Sequence, residues 1–225
     1  MIKESEFVFS KNGNKIELFK NSEISDFPVL VVGVFHGDEP QGDYLIRKYI
    51  EENPDSNLLM IPCLNPDGMG INRGVKEGVV IKGTPKRTNG NGVDLNRNFP
   101  TKNWKKSDKN DYWGGDSPAS ETETIFLINV IEKYKPKAIL TLHSPYKIVN
   151  YDGNAEVLAE KISEIIGYPV EKDIGYPTPG SFGTWAGIEK QIPTITLELD
   201  EEVSIKKLEA PVFNIFKMLE NYKGN

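Results

Sequence analysis

The chain contains 225 residues and carries a formal net charge of −6, from 27 Lys and Arg against 33 Asp and Glu. This acidic balance argues against a general nucleic-acid surface, because no excess of basic side chains is present to neutralise phosphates. No apolar run approaches the roughly 20 residues of a membrane span, and the charged N-terminal sequence lacks the apolar segment of a signal peptide. We therefore expect a single compact domain over residues 1–225, located in the cytoplasm, with no membrane or nucleic-acid partner.

The predicted strands are of two kinds. Residues 7–19, FVFSKNGNKIELF, alternate around an Asn-Gly pair, which is a strong signal for a β-hairpin. Four later runs are apolar without alternation, as expected of strands that are covered on both faces. These runs are 28–35, 57–64, 137–142 and 193–199. The single cysteine, Cys63, lies in the second of them, so we expect a buried thiol and no internal disulfide.

Helical patterns separate or follow the apolar runs. They cover residues 41–53, 120–135, 154–167 and 205–222. Ser120 and Glu123 have the spacing of a capping box at the start of the second helix. Pro211 is expected to interrupt the last helix, because proline lacks an amide hydrogen. Strands that alternate with helices predict an α/β domain with a mostly parallel sheet.

One long segment fits no regular structure. Residues 65–118 are rich in Gly, Asn, Asp, Pro and Lys, and so long an irregular stretch in a compact domain is usually functional or disordered. The segment also contains Trp104, Tyr112 and Trp113 and a dense polar motif. We therefore favour an ordered active-site loop over disorder.

The two histidines of the chain, His36 and His143, each follow directly after a predicted buried strand. Ligands of open α/β sheets bind beyond the carboxyl ends of the strands, so both imidazoles are placed where a site is expected. Glu39 follows His36 by three residues, which puts the two side chains on one helix face. Catalytic zinc takes three nitrogen or oxygen ligands, and these residues would supply them. The alternative for the His-x-x-Glu pair is a solvated helix start.

Glu198 lies near the end of an apolar strand, where a carboxylate needs an explanation. One explanation is a strand-end side chain that reaches solvent or pairs with a lysine. The other is a general base that takes a proton from an attacking water and delivers it to the leaving amine.

Arg87, Asn96 and Arg97 are close together in the run RTNGNGVDLNRNFP. Arginine binds carboxylates through two parallel hydrogen bonds, and a fixed cation can stabilise the oxyanion of a tetrahedral intermediate. These residues could instead be surface arginines and turn-forming asparagines. Their crowding favours an anion-binding site.

The motifs HGDE, NPDG, GVDLNRNFP, LHS and TLEL, in this order, resemble those of the carboxypeptidase A-like zinc carboxypeptidase family. The resemblance implies an α/β/α fold with a mixed, mainly parallel eight-stranded sheet between helices. It implies that His36, Glu39 and His143 bind one zinc ion and that Glu198 is the general acid and base. It also implies that Asn96 and Arg97 grip the free carboxylate of the substrate.

The same resemblance assigns two further residues. Arg87 resembles the arginine that polarises the scissile carbonyl. Tyr176 resembles the mobile tyrosine that closes over bound substrate, because it precedes Trp185 and Glu198 at the intervals found in the family. The alternative for Tyr176 is an aromatic that packs locally in a Pro- and Gly-rich turn.

The stretch GYPTPGSFGTWAG narrows the resemblance to a bacterial subgroup, the cytoplasmic amidases of cell-wall recycling. This implies hydrolysis of the γ-D-Glu–meso-diaminopimelate bond of murein tripeptide, a small peptide substrate. Three alternatives stay open: a zinc carboxypeptidase of other peptide specificity, an aspartoacylase-type deacylase of N-acyl amino acids, and a non-catalytic module that binds peptidoglycan fragments.

Overall fold

A computed structural model describes residues 1–22, 27–70, 85–172, 175 and 177–224. Within that part of the chain, eight strands form one sheet in the order β1-β2-β4-β3-β5-β8-β6-β7. The strands are β1 (Ile2–Phe9), β2 (Lys15–Asn21), β3 (Val29–Gly33), β4 (Leu59–Ile61), β5 (Ala138–His143), β6 (Ile148–Asp152), β7 (Val170–Glu171) and β8 (Thr194–Glu198).

The sheet is mixed, with its parallel part in the middle. Strands β4, β3, β5 and β8 are parallel neighbours, and β6 and β7 form one more parallel pair. The hairpin strand β2 joins β4 antiparallel, and β6 joins β8 antiparallel. The predicted α/β class and eight-stranded sheet are therefore confirmed. Strands β6 and β7 were not predicted, because both are short and Asn150, Asp152 and Glu171 interrupt their apolar residues.

Helices cover both faces of the sheet. Their bounds are α1 (Gln41–Glu52), α2 (Thr122–Tyr134), α3 (Glu156–Ile166) and α4 (Ile205–Glu220). Helices α1, α3 and α4 contribute to the core on one face, and α2 packs with a π-helical segment, Thr184–Glu189, on the other. In β3, Val29 and Val31 belong to the first core and Leu30 and Val32 to the second. Burial on both faces explains why this strand reads as a continuous apolar run.

Two details of the helices differ from the sequence-based prediction. Helix α2 begins at Thr122 after Glu121, and the Ser120 hydroxyl bonds to the Glu121 carboxylate, so no capping box forms. Helix α4 continues through Pro211 without interruption. The proline removes one amide donor, but Leu208 and Val212 on either side are both buried in the core, and this packing holds the helix together. None of the four helices in the described residues has the length and apolar character needed to cross a bilayer.

The carboxyl ends of the central strands meet at one edge of the sheet. His143 and Glu198 are the last residues of β5 and β8, and His36 follows β3 by three residues. The chain leaves β3 through Val34, whose φ of 56° turns the backbone sharply, and Asn65 donates its amide to the Val34 carbonyl at 2.9 Å. The start of the irregular segment is thereby tied to the same edge.

Candidate active site

His36, Glu39 and His143 form a compact group of metal-ligating side chains. Each offers one ligand atom within 4.8 Å of the others. Both oxygens of Glu39 are engaged: Oε1 faces His36 Nδ1 at 2.7 Å and Oε2 faces His143 Nδ1 at 2.9 Å. The His143 ring stacks on Phe35, with ring centroids 5.3 Å apart. Two imidazoles and a carboxylate with converging donor atoms are a set that fits zinc.

Close backbone packing fixes the turn that carries His36 and Glu39. A Cβ on Gly37 would lie 1.9 Å from the Gly68 carbonyl carbon, so the glycine is needed for the two loops to touch. Behind it, a Cβ on Gly42 at the start of α1 would lie 2.8 Å from the Gly33 Cα. The site therefore rests on a strand, a helix start and a loop that cannot separate without losing contact.

Asp94 holds the outer side of this group. Its Oδ1 lies 3.2 Å from His36 Nε2, and its Oδ2 accepts from Arg87 Nε at 3.0 Å. Asp94 is completely buried. Histidines that bind metals commonly donate their second ring nitrogen to such a carboxylate, which orients the ring and fixes its tautomer. The His36 Nδ1 atom is therefore left as the ligand atom.

The electrostatics of the group are governed by its carboxylates. Burial by itself lowers the pKa of His36, but Glu39 and Asp94 outweigh it and raise the pKa to about 9. Burial would raise the pKa of Glu39, yet His36 and His143 hold it at about 2. The pKa of Asp94 is also held below its usual range, against the effect of burial, by His36 and Arg87. Ionised carboxylates around the imidazoles favour a positive charge at this place.

Glu198 lies beside this group, and one of its two carboxylate oxygens has no hydrogen-bond partner in the described residues. It pairs in register with His143, and in the described residues its Oε2 is buried and makes no hydrogen bond. Burial is the main cause that raises the pKa of Glu198, with a contribution from Glu39 and an opposing one from His143. The side chain lines a cavity, and no described lysine pairs with it. An acceptor left free in this way suits a group that takes up and releases a proton.

Arg87 is held between a carboxylate and an aromatic ring. Beyond its bond to Asp94, its guanidinium lies 4.9 Å from the centroid of the Tyr112 ring. Tyr112 also lines the cavity. A cation fixed on two sides in this manner is preorganised to face developing negative charge.

Asn96 and Arg97 lie on a short 3-10 turn, Leu95–Arg97. The Asn96 amide nitrogen donates to Asp94 Oδ1 at 2.8 Å, and its side-chain Oδ1 accepts from the Phe182 amide at 2.8 Å. This leaves the Asn96 side-chain NH₂ group for another acceptor. Arg97 donates to the Asn96 carbonyl at 2.6 Å, and its backbone is enclosed by Gly114 and Gly180. The two side chains therefore offer fixed donors to an anion.

A cavity of about 320 Å³ joins these groups. Its walls include all the sequence-predicted site residues that the structure describes: His36, Glu39, Arg87, Asn96, Arg97, His143 and Glu198. Tyr176 lies outside the described residues. The volume is in the range of small-ligand pockets, and the wall is largely polar.

Three residues of the cavity and its support had no role in the sequence-based prediction. Asp94 lies inside the quoted motif, and its signal was an acidic residue two positions before Asn96. Tyr112 was noted only as an aromatic of the irregular segment. Asp152 ends β6, and nothing in the sequence marked it because that strand was not predicted.

The sequence matches a known protein family over the part of the chain that carries the metal-ligating residues. The zinc carboxypeptidase family matches residues 28–165, which include His36, Glu39 and His143. The predicted family resemblance is thus confirmed.

Relatives and a solved structure are similar to the chain over most of its length. Murein peptide amidase A of Escherichia coli K12 is 31% identical over 172 residues, covering 71% of this chain and 65% of the relative. Murein peptide amidase A of Vibrio campbellii is 38% identical over 184 residues, covering 76% and 68%. The crystal structure of murein-tripeptide amidase from Escherichia coli O157 superimposes with a TM-score of 0.81 at 25% identity, covering 100% of this chain and 93% of that chain. The chain thus spans slightly less than two thirds of the Escherichia coli K12 relative.

Proposed function

The chain belongs to the zinc carboxypeptidase family, and on that premise we propose that it is a zinc-dependent amidase that hydrolyses the γ-D-Glu–meso-diaminopimelate bond of murein tripeptide. In this proposal residues 1–225 form one catalytic domain that acts in the cytoplasm during peptidoglycan recycling. The observation that supports this proposal most directly is the free Oε2 atom of Glu198, which lies in the same cavity as the converging ligand atoms of His36, Glu39 and His143. The substrate assignment is supported by the names of the similar proteins from Escherichia coli and Vibrio campbellii.

His36, Glu39 and His143 would hold a single zinc ion through His36 Nδ1, His143 Nδ1 and the Glu39 carboxylate. When bound, zinc supplies Lewis-acid chemistry: it polarises a carbonyl and lowers the pKa of water. Asp94 keeps His36 oriented, because it occupies the second ring nitrogen.

Glu198 would move the proton. Its free Oε2 is positioned to accept a proton from the attacking water, and the raised pKa makes the protonated form accessible. The protonated carboxyl then donates to the departing nitrogen as the amide bond breaks. Proton uptake and release therefore occur at one carboxylate.

Arg87, Asn96 and Arg97 would bind the two negative charges of the reaction. Arg87, held by Asp94 and Tyr112, stabilises the oxyanion of the tetrahedral intermediate. The Asn96 amide and the Arg97 guanidinium hold the carboxylate of the leaving residue. Tyr176 would close over the bound peptide.

The proposal is tested with purified protein and L-Ala-γ-D-Glu-meso-diaminopimelate, with products followed by mass spectrometry. We expect release of diaminopimelate, loss of release after treatment with a chelator, and recovery when zinc is restored. Metal content measured on the same samples links turnover to occupancy. If zinc-loaded protein releases no diaminopimelate, the murein substrate is wrong.

Other substrates, assayed beside the tripeptide, distinguish the three alternative functions. A zinc carboxypeptidase of other specificity would hydrolyse α-linked peptides faster than the γ-linked tripeptide. An aspartoacylase-type deacylase would prefer N-acyl amino acids. A binding module would bind the tripeptide but would hydrolyse none of these compounds. Metal analysis alone would not distinguish such a module from an enzyme, because the module could also hold zinc.

A further inference from the structure

Asp152 contributes a carboxylate to the cavity, and the proposed hydrolysis does not use it. It is half-buried at the end of β6 and lines the same wall as Asn150, Ser181 and Thr196. Among the described residues it has no hydrogen-bond or ion-pair partner. A carboxylate that is partly removed from water without a cation or donor costs free energy, and a bound cationic group would offset this cost.

The surrounding backbone is shaped to admit this carboxylate. A Cβ on Gly183 would lie 2.0 Å from Asp152 Oδ2, and a Cβ on Gly187 would lie 2.3 Å from Asp152 Cβ. Any other residue at either position would displace Asp152. Both glycines border or lie in the π-helical segment Thr184–Glu189, and such segments often occur at functional sites.

The pKa of Asp152 is consistent with a carboxylate that has no partner within the described part of the protein. Burial raises the pKa of Asp152 to about 6, and no charged neighbour contributes to this shift. The two cavity arginines are engaged elsewhere, Arg87 with Asp94 and Arg97 with the Asn96 carbonyl. The protein itself therefore supplies no counter-charge to this carboxylate in its described part.

The position of Asp152 indicates which part of a substrate would reach it. Asn96, one of the carboxylate-binding residues, accepts from the Phe182 amide, and the next residue, Gly183, touches Asp152. The residue held by its carboxylate at Asn96 and Arg97 is the one that leaves. In the proposed complex, the side chain of this residue would be the part of the substrate nearest to Asp152.

The strand register gives the distance between Glu198 and Asp152 along the sheet. In the β6–β8 ladder Ile148 pairs with Glu198 and Asp152 pairs with Thr194. Four residues of strand separate the two levels, which is roughly 13 Å. Because side chains alternate between faces, Asp152 lies on the same face of β6 as Asn150, which faces the cavity. A long aliphatic side chain with a polar end would bridge part of this distance.

We propose that Asp152 is a specificity residue that binds a primary ammonium group at the end of the side chain of the leaving residue. The inference rests on the proposed amide hydrolysis and deepens it by naming the chemical class of the released residue. Both the lysine side chain and the far end of meso-diaminopimelate carry this group, and a neutral aliphatic side chain lacks it.

The test compares three peptides, L-Ala-γ-D-Glu followed by meso-diaminopimelate, L-lysine or L-norleucine. Norleucine retains the four-carbon side chain of lysine without the ammonium. We expect zinc-loaded wild-type protein to prefer both ammonium peptides over the norleucine peptide in kcat/KM. In Asp152→Asn, kcat/KM for the ammonium peptides should fall on the order of 10²-fold, and that for the norleucine peptide should change little.

A matched control and a binding measurement keep the outcomes separate. Glu201→Gln removes an exposed acid from the rim of the same cavity and should leave the preference unchanged. Dissociation constants of the lysine and norleucine peptides, measured in Glu198→Gln with and without Asp152→Asn, test recognition without turnover. If wild-type protein cleaves none of the peptides, the proposed function fails, and this binding preference still decides the role of Asp152. If Asp152→Asn keeps the wild-type ratio between lysine and norleucine in turnover or in binding, the proposal is overturned.

Discussion

His143 and Glu198 are register partners at the carboxyl ends of the adjacent parallel strands β5 and β8. In parallel strands the side chains of such partners point to the same face of the sheet. A candidate metal ligand and a candidate proton carrier are therefore neighbours because of strand pairing, although 55 residues separate them in the sequence. Rigid strands position both groups more precisely than loops would.

Replacing Glu198 by glutamine tests its proposed role as the proton carrier. Glutamine keeps the shape but cannot accept the proton, so we expect kcat to fall roughly 10²–10⁴-fold with zinc content unchanged. Thermal stability should be retained or raised, because the neutral amide avoids the cost of removing an ionised carboxylate from water. Glu202→Gln, an exposed change nearby, is the control. Wild-type turnover by the zinc-loaded Glu198 variant would remove this residue from the mechanism.

Asp94 is expected to support metal binding without touching the metal. Its carboxylate holds both His36 and Arg87, so Asp94→Asn should weaken zinc binding about 10–100-fold and also slow turnover at saturating zinc. Competition with a chromophoric chelator measures the first effect, and steady-state kinetics at saturating metal measures the second. Asp116→Asn, a surface change in an exposed ion pair with Lys106, should alter neither. An unchanged zinc affinity in Asp94→Asn would show that His36 is oriented by other contacts.

Arg97 is expected to recognise the free carboxylate of the substrate. Lysine retains the positive charge but loses the planar pair of donors, so Arg97→Lys should lower kcat/KM for the tripeptide about 10–100-fold. A tripeptide amidated at the carboxylate next to the scissile bond should be a poor substrate for both proteins, with little difference between them. Lys105→Gln changes a cation in the neighbouring cavity that Arg97 also lines, and should have little effect. Equal losses on the acid and the amide would assign Arg97 to structure instead of recognition.

The parts of the fold that could be predicted are those in which local sequence determines burial. Strand β3 is apolar at every position because both of its faces are covered, and the hairpin is encoded by its Asn-Gly turn. Strand β6 could not be found in this way. Asn150 and Asp152 face the cavity, so the demands of the site replace the apolar pattern of a strand.

The same distinction holds for the candidate site: some of its contacts follow from local sequence, and others depend on tertiary packing. His36 and Glu39 are three residues apart on one turn, and their proximity follows from local spacing. The contact of Asp94 with His36 joins residues 58 positions apart, and that of Asp152 with Gly183 depends on the packing of β6 against a π-helical turn. Such contacts arise from tertiary packing, which no local pattern in a single sequence encodes.

Glu123 should make the stability of the fold depend on pH, independently of the metal site. The side chain is buried on α2, where Asn89 Nδ2 donates to its Oε1 at 3.3 Å. Burial, reinforced by the carboxylates of Glu121 and Asp67, raises the pKa of Glu123 from 4.5 to about 7. Between these two values the folded state retains a proton that the unfolded chain has released. The contribution of Glu123 to stability is therefore full below about pH 4.5 and is lost as the pH rises to about 7.

Glu123→Gln removes this ionisation and keeps an oxygen acceptor for Asn89. Urea unfolding at pH 5 and pH 8 should show a smaller loss of stability in the variant than in the wild type, by roughly 2 kcal/mol. Glu132→Gln, an exposed change on the same helix, should follow the wild type. Equal loss in Glu123→Gln and wild type would mean that Glu123 is already ionised in the folded protein at pH 5.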